Sequence, residues 1–158
     1  MRTKPLVLLA VAIGAFVLGG GVVSAEPPSG FVGRILAAGT LSRATDIGAN
    51  GIDFSSRTGA QVIVQQGDFS AAGTSGWHMH PGLTVVTVTD GTVIYYQRCT
   101  ARSYTKGQSF VEPPNTPVMA RNSSTQVSAQ VVTALVVPAG FAPRTNVSAP
   151  DCTSGAED

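Results

Sequence analysis

The chain has 158 residues, 12% charged, 43% hydrophobic and 6% aromatic, with a formal net charge of +1. That length suits a single domain, and that composition suits a packed globular core, which excludes a disordered chain. Lysine and arginine are scattered singly, so no run neutralises several phosphates in a row, and nucleic acid is set aside as a partner.

Arg2 and Lys4 open the chain, residues 6–23 are apolar and uncharged, and Val23-Ser24-Ala25 supplies small residues ahead of Glu26-Pro27-Pro28. Residues 1–25 therefore read as a signal peptide and the protein as exported, secreted or otherwise extracytoplasmic. The apolar stretch sits at the short end of the roughly 20 residues that span a bilayer, so an uncleaved anchor is the alternative, and a membrane is a partner only in that case. Cleavage before Glu26 removes 2 of the 10 basic residues, leaving 8 against 9 acidic ones and a charge of −1.

Residues 26–32 form a proline-rich lead-in. From there to residue 138 short β-type runs alternate with turn residues, and no long helical period intervenes. Candidate strands are 33–41, 52–57, 61–69, 83–89, 92–98, 108–112, 118–122 and 126–137. Asp90-Gly91, between two β-branched runs, predicts a tight type I′ hairpin that makes 83–89 and 92–98 antiparallel neighbours. Pro113, Pro114 and Pro117 fall between two runs, where a missing N–H does least harm to a ladder. Residues 139–158 show no alternation and read as a surface tail. The two cysteines, Cys99 and Cys152, both lie in the exported part, and an oxidising compartment favours their pairing. Closing a loop of about 50 residues is worth roughly 4 kcal/mol in the chain-entropy model and ties the tail to the domain.

The only two histidines stand together in Gly76-Trp77-His78-Met79-His80-Pro81-Gly82. On an extended segment alternate side chains point the same way, so His78 and His80 can present both rings to one interior point, as a metal requires. Taken alone, the pair is a weak motif and is better read as two hydrogen-bonded turn residues.

Residues 76–91 resemble the first motif of the cupin family: a glycine before a His-x-His pair, a glutamate a few residues on, and a closing glycine, here Gly91. Residues 107–122 resemble the second motif through Gly107, Pro113 and Asn122. The resemblance implies an all-β, single-domain jelly-roll barrel over residues 33–138. It also implies four metal ligands, but the glutamate position falls on Thr84 and the second-motif histidine on Val118, so half the set is absent. A neutral hydroxyl is a poor replacement for a carboxylate, and valine cannot ligate. Glu112 is the one acidic residue within the second motif; the spacing does not show that it faces inward, and it reads as a solvated rim carboxylate. Trp77, Thr84, Tyr95, Glu112 and Val118 are the expected lining of a ligand pocket around His78 and His80.

No nucleophile elbow, phosphate-binding loop, dinucleotide fingerprint or zinc-hydrolase motif occurs. The expected function is an exported barrel that binds a small molecule, or weakly a divalent transition metal, without catalysis. The alternatives are a metal-dependent cupin enzyme of the dioxygenase or isomerase type, and a secreted structural protein. The sequence leaves the oligomeric state open; the resemblance adds a homodimer as one option, since barrels of this family often dimerise.

Overall fold

The structure, a computed structural model, describes residues 26–152, so the signal-peptide reading of residues 1–25 lies outside the described residues. Among these there is no helix. Twelve strands follow in order: β1 Ser29–Thr40, β2 Thr45–Ala49, β3 Ile52–Ser56, β4 Gln61–Thr74, β5 His78–Met79, β6 Leu83–Asp90, β7 Thr92–Gln97, β8 Thr100–Thr105, β9 Ser109–Glu112, β10 Val118–Asn122, β11 Ala129–Val137 and β12 Thr145–Asn146. All pairings are antiparallel. One face of the fold runs β1-β4-β11-β6-β9 and the other β12-β5-β10-β7-β8, and the Thr74–Arg121 pair joins them. The all-β, nearly closed barrel that the motif resemblance implies is the fold observed.

Period-two sequence patterns place the core. Along β6, Thr84, Val86 and Val88 are buried while their neighbours are partly exposed. Val93 and Tyr95 of β7, Phe110 of β9, Val118 and Ala120 of β10, and Ala129 and Val131 of β11 meet them, with Phe69 of β4, in one cluster between the faces. Ile63, Leu135 and Val137 form a second, smaller cluster. Side chains that alternate across a pleat fill the gap between two sheets in this way, each large one burying roughly 1.5–3 kcal/mol of apolar surface. Asn122, matched to the second motif, is a structural residue: its Nδ2 donates to the carbonyls of Ser70 and Val127, and its Oδ1 accepts from the Ser124 N–H.

One topological expectation is overturned. β6 pairs with β11 and β9, β7 pairs with β10 and β8, and β6 and β7 do not pair with each other. Gly91 has φ +71°, but Asp90 is not in the left-handed region that a type I′ turn demands of both central residues. The connection instead carries the chain from one face to the other, because both runs bury an inward side already matched to other strands. The hairpin the sequence does encode lies elsewhere. Asn50 and Gly51, at φ +53° and +80°, join β2 to β3 with Ala49 opposite Ile52, and β2 was not among the predicted strands. β8 and β12 are likewise additions, and β1 begins within the stretch read as lead-in.

The Cys99–Cys152 disulfide is formed, with Cα atoms 5.5 Å apart, inside the usual range for such a bond. It fastens the turn between β7 and β8 to the segment after β12.

Candidate functional site

The Gly76 to Gly82 segment runs along the inner end of β10. His78 pairs with Val118 of β10 on one side and with Asn146 of β12 on the other. Gly76 permits the approach: its φ is +66°, and an added Cβ would lie 2.4 Å from the Glu26 carbonyl oxygen, so the entering chain packs directly on it.

His78 and His80 are both buried, and their ring centroids are 4.9 Å apart with planes at 87°. Each uses Nδ1 against a main-chain carbonyl: His78 to Gly76 at 2.8 Å and His80 to Pro143 at 2.6 Å. A carbonyl can only accept, so each Nδ1 carries its hydrogen and each Nε2 is left as the inward-facing atom. The two backbone contacts therefore fix the ring orientation that a ligand needs. Burial holds the His78 ring well below the ordinary histidine range, at about 4, with Glu112 opposing and Arg144 and His80 adding to the depression. At neutral pH His78 is an uncharged base.

Glu112 is not the solvated rim carboxylate expected of it. It is 4% exposed, and its Oε2 lies 3.2 Å from His80 Nε2. The reason is register: Glu112 of β9 stands directly opposite Thr84 of β6. Paired Cβ atoms across an antiparallel ladder are about 5 Å apart, so a carboxylate at position 112 reaches the same space as one at position 84. Ligand atoms of His78, His80 and Glu112 all lie within 4.8 Å of one another.

The three border a cavity of about 80 Å³, together with Val86, Ala120, Leu135 and, from the segment beyond residue 138, Pro143 and Arg144. The segment read as a surface tail is mostly exposed, and it also supplies a carbonyl to His80 and a guanidinium to the wall. Arg144 donates through Nη2 to the Ser75 carbonyl and through Nε to Asn146 Oδ1 at 3.1 Å.

The other expected pocket residues, Trp77, Thr84, Tyr95 and Val118, are buried. Thr84 is fully buried, and its Oγ1 is the one buried side-chain polar atom without a hydrogen-bond partner among the described residues. Val118 is fully buried in the main apolar cluster. Trp77 stands edge-on to Tyr96, with centroids 6.4 Å apart. Tyr95 stacks on Phe110 at 4.4 Å, burial raises its hydroxyl above the ordinary tyrosine range, and it borders a separate recess with Gln97 and Arg102. Sequence reasoning missed Pro143 and Arg144, for which no local pattern gave a signal.

No family model matches the sequence, and no curated protein matches it. Solved structures similar to this chain include a conserved protein of unknown function from Streptococcus pyogenes, at 17% identity over 68% of this chain and 75% of that one, TM-score 0.48. A cupin 2 conserved barrel domain protein from Leptotrichia buccalis is similar at 21% identity over 67% of this chain and 40% of that one, TM-score 0.49. A cupin-like protein from Thermotoga maritima is similar at 24% identity over 56% and 65% of the respective chains, TM-score 0.49. This chain thus spans less than two thirds of the length of the last two.

Proposed function

We propose that the barrel holds one divalent transition metal on His78, His80 and Glu112, in an exported protein that acts on or senses a small molecule at that metal. The observation that carries this reading is the convergence of two imidazoles and one carboxylate within 4.8 Å, with both Nδ1 atoms already engaged. Two nitrogen donors and one oxygen donor suit zinc, iron, cobalt or manganese, and three protein ligands leave positions open for water or substrate. Bonds of about 2.0–2.2 Å to such an ion would draw the three donors slightly together. The ion would supply Lewis acidity or a low-pKa water. His78 contributes a neutral base that needs no deprotonation at pH 7. Glu112 supplies the carboxylate whose loss at position 84 argued for a weak site.

The Cys99–Cys152 bond supports an extracytoplasmic setting, where such bonds persist. Calorimetric titration of the chelator-treated protein with Co²⁺ tests the metal reading. The parent should bind one equivalent, and Glu112→Gln should lower affinity by at least about 100-fold, since even residues that merely orient a ligand cost about 10–100-fold. Equal binding by the parent and Glu112→Gln would place the metal elsewhere.

A further inference from the structure

The cavity beside the three donors is lined by one cationic and one anionic side chain, whose charges balance only while no metal ion is bound. Arg144 is the only arginine or lysine on its wall and Glu112 the only carboxylate. The Glu112 carboxylate contacts His80, and its field also acts on the half-buried Arg144 guanidinium. The guanidinium's hydrogen bonds to the Ser75 carbonyl and to Asn146 Oδ1 occupy two of its five N–H donors. Both contacts are neutral and fix the plane of the guanidinium without cancelling its charge.

A divalent ion on the three donors adds two positive charges to the one on Arg144, against the single negative charge of Glu112, and both histidines must then be neutral. A net excess of two positive charges in a small, largely apolar enclosure is costly unless an anion enters. The planar fork of an arginine matches a carboxylate, which can at the same time offer an oxygen to a metal. The volume of about 80 Å³ limits the guest to a few heavy atoms.

We infer that the cavity is a binding site for a small carboxylate, seated between Arg144 and the metal ion. The inference rests on the metal reading above and names the chemical class of the ligand that site takes. It also explains why the segment after β11 returns to the barrel: β12 pairs with β5 and sets Arg144 two residues before Asn146, which faces His78 in the ladder.

Calorimetric titration of the Co²⁺-loaded protein with sodium acetate, and in parallel with its neutral counterpart acetamide, tests this. Acetate should bind and change the visible absorption of the bound cobalt, and acetamide should not. Arg144→Gln should keep Co²⁺ affinity within a few-fold while lowering acetate affinity at least tenfold. Arg144→Lys, which keeps the charge but loses the fork, should fall between the two and serves as the second variant if the glutamine protein fails to fold. Undiminished acetate affinity in either variant would overturn the assignment. Co²⁺ uptake by the parent without any acetate binding overturns the anion site alone, whereas absence of Co²⁺ uptake overturns the metal reading and the anion site with it.

Discussion

His78 and Thr84 are both buried polar residues, yet the ladder treats them differently. The His78 ring is held neutral, near 4, by burial. A group whose folded pKa lies below its unfolded value of about 6.5 takes up its proton first in the unfolded chain, so the stability it contributes is present above pH 6.5 and is lost as pH falls toward 4. In the metal-free protein that loss should approach about 3 kcal/mol between pH 7 and pH 4, as an upper bound. Urea unfolding across that range should show it, and His78→Gln should flatten the slope; an unchanged slope would mean the ring is charged in the fold. Thr84 Oγ1, by contrast, is buried without a partner. Thr84→Val removes an unsatisfied hydroxyl, so the denaturant midpoint should stay level or rise by up to about 1–2 kcal/mol equivalent, and metal affinity should be unchanged. A drop in either would show that the hydroxyl serves the site. The two histidines were legible because the chain has no others and their spacing lets them share a face. Glu112 was visible as a residue but not as a ligand, because its role depends on which strand lies opposite Thr84, and no local spacing encodes that.

Strand pairing shows where local signals stop. Alternation located most of the strands, but partners are set by which inward faces fit together, so the turn at Asp90-Gly91 became a crossing between faces rather than a hairpin. Asn50-Gly51 was the stronger hairpin signal, and its two positive φ values show why that pair of residue types is used. The segment after Pro138 has no alternation for a reader to find, because only Thr145 and Asn146 pair and the remaining hold is a disulfide. That anchoring has a measurable consequence. Cys99→Ser with Cys152→Ser should lower stability by up to roughly 4 kcal/mol and open the segment. Trypsin should then cut after Arg144 under conditions where the oxidised parent resists. Equal resistance would show that β12 and the Arg144 contacts hold the segment without the bond.

At the scale of the whole molecule, the barrel is an all-β scaffold whose strand order brings one end of β9, the approach to β6 and the returning C-terminal segment around a single cavity. β1 adds an outer strand with Val32, Ile35 and Leu36 exposed. If the first 25 residues direct export, protein recovered from the medium should begin at Glu26, and N-terminal sequencing that finds the full-length chain only in membranes would establish the anchor instead. The central claim is that His78, His80 and Glu112 form one metal centre despite the loss of a carboxylate at position 84 and an imidazole at position 118. Crystals grown with Co²⁺, measured at the cobalt edge, test it most directly. The account predicts a single strong anomalous peak about 2.1 Å from Nε2 of both histidines and from a Glu112 carboxylate oxygen. A map with no peak in this cavity, or with cobalt bound only at other positions, would contradict it.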